Sequence, residues 1–236
     1  MRATPNLTRF AAVESYCRTI SADLWFLTET HEDLAPKQGY NFRFSGAPDR
    51  IFEEGERWSS IWSKWQIQPL DEYISDPVRT VAGRIPETPF GEIIAYATVL
   101  PWNTDPRAKE SSSFQAFAEA LEVQKSDWLK IQGDFPKATL IVTGDFNQGL
   151  VDYHFYGSKK KRLLLESALK ECHLEAMTAG ANDPIARDSF PRANIDHICI
   201  TSPKDWELEE TVRWPDSKVP VKSLSDHFGV RVELSI

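Results

Sequence analysis

The sequence is poor in cysteine, has no long apolar run and carries no excess of positive charge. Three cysteines among 236 residues are too few and too scattered for a disulfide framework or a zinc knuckle, so we expect Cys17, Cys172 and Cys199 to be small buried hydrophobes in a reducing, cytoplasmic compartment. No run reaches the ~18 apolar residues of a membrane span, and the first residues lack the apolar centre of a signal peptide, so we expect no membrane partner. The net charge of −8 offers nucleic acid no general attraction. A nuclease would need a local basic rim or a metal that bridges to phosphate.

The chain has enough apolar residues, 41%, to bury a full core. Its candidate functional residues are spread from position 29 to position 227, and no repeat, low-complexity tract or Gly/Ser linker separates them. This dispersal predicts a single domain over residues 1–236, with a site assembled from distant parts of the chain.

Hydrophobic periodicity predicts an alternation of helices and strands. A strand at Leu24–Leu27 is apolar throughout, so we expect it to be buried on both faces. We expect residues 36–55 to form a loop, and Trp25, Trp58, Trp62 and Trp128 to lie in the core. The predicted helices are 5–20, 113–131 and 160–172; the other predicted strands lie within 57–67, 77–85, 91–100, 140–142, 195–200 and 230–234.

The most informative motif is Thr-Gly-Asp-Phe-Asn at 143–147, which follows the apolar run 140–142. It places Asp145 and Asn147 at the carboxyl end of a strand, where ligands bind in open α/β sheets. On extended backbone these two side chains point the same way and Phe146 points into the core. The carboxylate can accept a proton from attacking water, and the amide can donate to a phosphoryl oxygen. The alternative is an Asx-turn that only closes the strand.

Other acidic and histidine residues also follow predicted strands. Glu29 and Asp226 are candidate ligands for a hard cation such as Mg²⁺ or Mn²⁺. His227 is a candidate general acid or base, and Asp196 is a suitable partner to hold its tautomer. The alternative is a set of solvated loop carboxylates with a partly buried histidine. His197 follows Asp196 but faces away from it in a strand.

Substrate-binding candidates come from one basic cluster and one tryptophan. Lys160 and Arg162 belong to the run Lys159–Arg162, which lies beyond the Asp145 motif and could hold a substrate phosphate at the rim of the site. The alternative is a solvated first turn of a helix. Trp102, after Pro101 near a strand end, is the best candidate for a wall of the substrate cleft.

Four motifs resemble the endonuclease/exonuclease/phosphatase superfamily of DNase I-like nucleases, sphingomyelinases and inositol polyphosphate phosphatases. Leu-Thr-Glu-Thr, Gly-Asp-Phe-Asn, Ile-Asp-His-Ile and Ser-Asp-His occur in that order over residues 27–227. The resemblance implies a four-layer α/β sandwich, two mixed β-sheets flanked by helices, and a Mg²⁺- or Mn²⁺-dependent phosphoester hydrolase. The roles it implies are metal binding for Glu29 and Asp226, activation of water for Asp145, phosphate contacts for Asn147 and His227, and orientation of His227 by Asp196.

The sequence departs from this family in two places. The family begins with a strand that ends in a metal-site Asn, whereas here a helix is predicted from Pro5. If that strand is absent, Leu24–Leu27 has an unpaired edge through which the chain could dimerise. Val99 stands where nucleases of the family have a His or Tyr; Tyr96, nearby, is expected in the core. These departures favour an alternative, a weakly active or inactive relative that binds phosphate ligands or a protein. DNA, RNA, a phospholipid head group and a small phosphoester all remain possible substrates.

Overall fold

The computed structural model describes four helices and eleven strands over residues 7–48, 54–109, 112–151, 156–187, 193–201, 206–215, 225 and 227–236. The helices are α1 (Leu7–Arg18), α2 (Ser113–Asp134), α3 (Lys159–Glu171) and α4 (Pro184–Arg187). The strands are β1 (Leu24–His31), β2 (Asn41–Phe44), β3 (Glu56–Ser63), β4 (Gln68–Pro69), β5 (Thr80–Ile85), β6 (Ile93–Val99), β7 (Thr139–Asp145), β8 (Leu174–Ala176), β9 (Asp196–Thr201), β10 (Glu207–Trp214) and β11 (Gly229–Ser235). Within these ranges, no helix is both long and apolar enough to cross a membrane.

A six-stranded sheet forms the centre of the fold, in the order β4-β5-β6-β7-β9-β8. Strands β6 and β7 are parallel, and the other neighbours are antiparallel. Every residue of β7 is buried, because the sheet is covered on both faces. The alternation of side chains along β6 shows these two faces: Ile94 and Tyr96 point to one core, Ile93, Ala95 and Ala97 to the other.

Helices and further strands cover the two faces of this sheet. On one face α2 and α3 pack, through side chains such as Phe117, Trp128 and Leu165. On the other face lie β1, β3 and β11, represented by Phe26, Ile61 and Leu234. The outer face of the β1-β3-β2 sheet packs against α1. The result is the predicted layered α/β sandwich, with one difference: β10 and β11 form a separate two-stranded sheet.

Most predicted elements are confirmed, and two expectations are wrong. The predicted loop 36–55 contains β2, which pairs with β3. Strand β1 is not buried on both faces: Trp25 and Thr30 are buried, but its other apolar side chains are only half-buried. Among the described residues β1 pairs with β3 alone and β11 with β10 alone, so each has one open edge. The absent first strand and a dimer through that edge stay predictions.

The buried residues include the three cysteines and one ion pair. The three cysteines and the four tryptophans expected in the core are buried, and burial raises the pKa of the Cys17 and Cys172 thiols to about 11. Arg79 and Asp105 form a bidentate ion pair with side chains 1% and 0% exposed, at N–O distances of 2.6 and 3.1 Å. The Arg79 guanidinium lies 4.5 Å from the ring of Trp58 and 5.2 Å from that of Trp102.

This buried pair makes a testable prediction about stability. We expect Asp105→Ala to lower the free energy of unfolding by about 3–5 kcal/mol, because it leaves a buried guanidinium without its counter-charge. Denaturant unfolding measures the change. The matched control is Asp23→Ala, which breaks the half-exposed pair with Lys64 and should leave stability almost unchanged. Equal losses in the two variants would contradict the assignment.

Candidate active site

The carboxyl end of β7 is set by the tight packing of Gly144 against β6. Gly144 has φ +147°, and a Cβ atom there would lie 1.9 Å from the carbonyl oxygen of Thr98. Only glycine permits this approach. The next residue, Asp145, lies in register with Val99 of β6 and with Asp196 of β9. Asp145 therefore lies between the ends of β6 and β9, and a second carboxylate, that of Asp196, stands beside it on the neighbouring strand.

A turn holds Asp145 and Asn147 together. Asn147 has φ +50°, so the extended backbone predicted for this pair is wrong and the Asx-turn is present. The Asn147 backbone N–H donates to Oδ1 of Asp145 at 2.8 Å, and Nδ2 donates to Asp145 Oδ2 and to the Leu100 carbonyl, both at 2.9 Å. Both amide hydrogens are engaged, so Asn147 holds Asp145 in place. A phosphate contact from Asn147 stays a prediction. Phe146 is fully buried in the core, as expected.

His227 and Asp196 form a hydrogen-bonded pair beside this turn. Nδ1 of His227 donates to Oδ2 of Asp196 at 2.9 Å, since an ionised carboxylate can only accept. The His227 side chain is 34% exposed, and its backbone N–H donates to the Ser225 hydroxyl at 3.1 Å. With Nδ1 protonated, the neutral ring has its acceptor at Nε2. The structure thus brings together the two residues that the sequence predicted to act as a pair.

Asp145, Asp196 and His227 form a cluster suited to a cation. Each offers one ligand atom, and these atoms lie within 4.8 Å of one another. Burial raises the pKa of Asp145 well above its usual range, and the charges of Asp196 and Glu29 raise it further against the opposing effects of His227 and Asn147. Because other negative charges act on Asp145, a bound cation would stabilise its ionised form. Oxygen donors of this kind fit a hard divalent ion.

Of the two predicted metal ligands, Glu29 lies among the described residues and Asp226 does not. Glu29 lies in β1 with φ +47° and an exposed side chain. Its charge acts on Asp145, which places it near the cluster but outside the group of three. Asp226 lies outside the described residues. The roles of both remain predictions.

The predicted substrate-binding residues are arranged around the start of α3. Lys160 is exposed, whereas the Arg162 side chain is 12% exposed and lies 3.7 Å from Glu166 on the same helix. The residue between them is buried: Lys161 donates to Oδ1 of Asn103 at 3.0 Å. Lys161 therefore ties α3 to the loop that carries Trp102. Trp102 is half-buried, and its ring centroid lies 5.6 Å from that of Trp58.

Other titratable residues near β7 have structural roles. His197 is fully buried; its Nε2 donates to the Gln148 carbonyl at 3.0 Å, and burial lowers its pKa. Tyr96 donates to Asp127 at 3.0 Å inside the core. Val99 is buried and brings no polar group to Asp145. The sequence did not single out Tyr156, because no periodic pattern marks the stretch that ends at Gly157 and Ser158. Burial raises the pKa of Tyr156, and the charge of Asp145 raises it further.

Comparisons with known proteins identify the family of this chain. The family model "Endonuclease/Exonuclease/phosphatase family" matches residues 2–227, so the chain belongs to this family. Members of the family are hydrolases that act on phosphoesters, and they are generally dependent on a divalent metal. No curated protein matches the sequence.

Several solved structures share the fold. An AP endonuclease from Archaeoglobus fulgidus is 15% identical with a TM-score of 0.67, covering 98% of this chain and 95% of its own. A 3′ phosphatase from Neisseria, bound to a product DNA hairpin, is 15% identical with a TM-score of 0.68, covering 97% and 95%. A mannosyl-6-phosphatase from Bacteroides thetaiotaomicron is 16% identical with a TM-score of 0.63, covering 97% and 91%. At these identities the likeness establishes the DNase I-like fold.

Gly144 provides a prediction about how the site is positioned. We expect Gly144→Ala to destabilise the protein by at least about 2 kcal/mol, because a Cβ would collide with the Thr98 backbone, which cannot move aside as a flexible side chain would. Chemical denaturation measures the loss. Gly133→Ala is the control: it lies in α2 with open space around its Cβ, so it should stabilise by about 0.5–1 kcal/mol. A neutral Gly144→Ala would refute the close approach.

Proposed function

We propose that this chain is a single-domain, divalent-metal-dependent phosphoester hydrolase in which water attacks phosphorus beside Asp145. The observation that carries the proposal is the cluster of buried Asp145 with the hydrogen-bonded pair Asp196–His227. Membership of the endonuclease/exonuclease/phosphatase family supports phosphoester hydrolysis. The structural neighbours include proteins named for action on DNA ends and on a sugar phosphate. They support the reaction class without selecting one substrate.

Each residue of the cluster has a role that its environment suits. Asp145 accepts a proton from attacking water; burial raises its pKa, which makes the carboxylate a stronger base. Asn147 fixes the orientation of that carboxylate. His227, held by Asp196 through Nδ1, contacts the scissile phosphate; in its protonated form Nε2–H donates to a phosphoryl oxygen and stabilises the developing charge.

The residues also fit a cation. Glu29 and Asp226 are the ligands implied by the family resemblance, and Asp145, Asp196 and His227 offer further ligand atoms within 4.8 Å of one another. When bound, Mg²⁺ or Mn²⁺ would neutralise negative charge on the phosphoryl oxygens. Without it, the grouped carboxylates repel an anionic substrate.

One observation favours a second candidate, a relative that binds phosphate but turns over slowly. Val99 is buried directly beside Asp145 where the resemblance implies a His or Tyr. Both hydrogens of the Asn147 amide are engaged within the protein. A site with these two features holds fewer donors for a transition state than the family pattern supplies. Activity measurements separate the two candidates.

The metal site is tested by thermal unfolding. Millimolar Mg²⁺ or Mn²⁺ should raise the Tm, because a ligand that binds only the native state stabilises it. The rise should grow with pH, since a proton on Asp145 competes with the cation below the raised pKa. Without a cation, stability should fall as pH rises through that pKa, because the native state holds the proton longer than the unfolded chain.

Glu29→Gln should remove most of the metal-dependent rise. The control is Glu87→Gln, since Glu87 is exposed in the turn at the opposite end of β6 from Val99. A melting curve indifferent to both ions would contradict the metal assignment.

The catalytic roles are tested by hydrolysis of bis(4-nitrophenyl) phosphate with Mn²⁺. Asp145→Ala and His227→Ala should each lower kcat by at least ~100-fold, the usual scale for losing a positioned base or charge stabiliser. His173→Asn is the control: His173 is exposed with φ +51°, a conformation that Asn tolerates. Wild-type rates in the Asp145 or His227 variant would rule out the mechanism. A wild type that binds phosphate without turnover would establish the second candidate.

A further inference from the structure

The backbone around Tyr156 is fixed to the residue that follows Asn147. The Tyr156 carbonyl accepts from Nε2 of Gln148 at 2.9 Å and from the backbone N–H of Gly149 at 3.1 Å. Oε1 of Gln148 accepts from the backbone N–H of Ser158 at 3.0 Å. A single amide side chain therefore binds both ends of the segment 156–158. We name Gln148 with its bonds to Tyr156 and Ser158 the Gln148 clamp.

The Gln148 clamp is itself immobile. Gln148 is fully buried, and its carbonyl accepts from Nε2 of the buried His197 at 3.0 Å. Gly157 has φ +91°, and a Cβ there would lie 2.0 Å from Oε1 of Gln148, so the segment closes tightly over the amide. Because the Asx-turn immediately precedes Gln148, Tyr156 is held at a fixed position relative to Asp145.

The Tyr156 side chain is exposed and uncommitted. It is 38% exposed, and among the described residues its phenol oxygen makes no hydrogen bond. Partial burial raises the pKa of Tyr156, and the charge of Asp145 raises it further. The phenol therefore keeps its proton at neutral pH and is a hydrogen-bond donor that faces solvent.

Three described side chains of β6 and the Asp145 turn cannot donate a further hydrogen bond to an anionic substrate. Both hydrogens of the Asn147 amide are engaged, Val99 has none to give, and the Tyr96 hydroxyl is committed to Asp127. We infer that Tyr156 is a substrate-contacting residue whose hydroxyl donates a hydrogen bond to a phosphoryl oxygen of the phosphoester bound beside Asp145. This inference deepens the proposed function and rests on it.

The test compares wild type with Tyr156→Phe and Tyr156→Ala. Tyr156→Phe should lower kcat/KM for bis(4-nitrophenyl) phosphate with Mn²⁺ by about 10-fold or more, the scale of one donor to a charged group. It should also weaken the rise in Tm that inorganic phosphate causes in the Mn²⁺-loaded protein. Tm without phosphate should not change, since the hydroxyl bonds no described group. Tyr73→Phe is the control: it removes an exposed hydroxyl that donates to Asp134, and it should alter neither kcat/KM nor the phosphate effect.

The outcomes separate this inference from the proposed function. If Asp145→Ala abolishes hydrolysis while Tyr156→Phe matches wild type in rate and phosphate effect, the inference is wrong and the function stands. If Tyr156→Phe matches wild type but Tyr156→Ala is impaired, the ring packs and does not donate, which also overturns it. If Asp145→Ala keeps full activity, the proposed mechanism fails, and the phosphate effect alone decides the role of Tyr156.

Discussion

The buried carboxylate of Asp145 is the group on which the rest of the site depends. Burial of a charge is costly unless partners compensate for the lost water. Two donors from Asn147 do so, but Asp196 lies directly across the sheet and adds a second negative charge. The two carboxylates are therefore most stable when a proton or a cation offsets their negative charge. The local negative charge of the site therefore attracts cations, with or without a substrate.

Backbone geometry keeps that carboxylate in place. Gly144 lets β7 approach the Thr98 carbonyl, which brings Asp145 level with Val99 and Asp196 at the sheet edge. The buried ion pair of Arg79 with Asp105 holds the segment 102–105, and the Arg79 guanidinium lies 5.2 Å from the ring of Trp102. The position of Asp145 is thus determined by contacts within the sheet.

Local sequence predicted much of this fold, and tertiary contacts account for the rest. Helix α2 and the pair β5–β6 have clear periodicity and were predicted with nearly the right bounds. Strand β2 was missed because its four residues, Asn41–Phe44, become a strand only by pairing with β3. The burial of β1 was overestimated because an apolar run does not show whether the fold covers both faces of the strand.

The candidate site was likewise predictable where local sequence patterns decide the structure, and not where tertiary contacts do. Carboxylates and histidine after apolar runs predicted that Asp145, Asp196 and His227 would meet, because strand ends converge at one sheet edge. The sequence left the Asx-turn at Asn147 as one of two alternatives, and the burial of Lys161 could not be predicted. Lys161 stands in a basic run that looks solvated, yet it reaches Asn103 and lies 5.2 Å from the ring of Phe117. Such contacts join residues far apart in the chain, where no local pattern records them.

The Gln148 clamp has a consequence for how this protein can change over evolutionary time. Gly149 and Tyr156 are bonded to each other through their backbones, so the stretch between them starts and ends at fixed points. Lengthening such a stretch costs little, about 0.6 kcal/mol for each doubling of its length. A longer stretch can therefore be accommodated while Asp145 on one side and α3 on the other keep their places. Variation in length between these two points leaves the bonds of the Gln148 clamp in place.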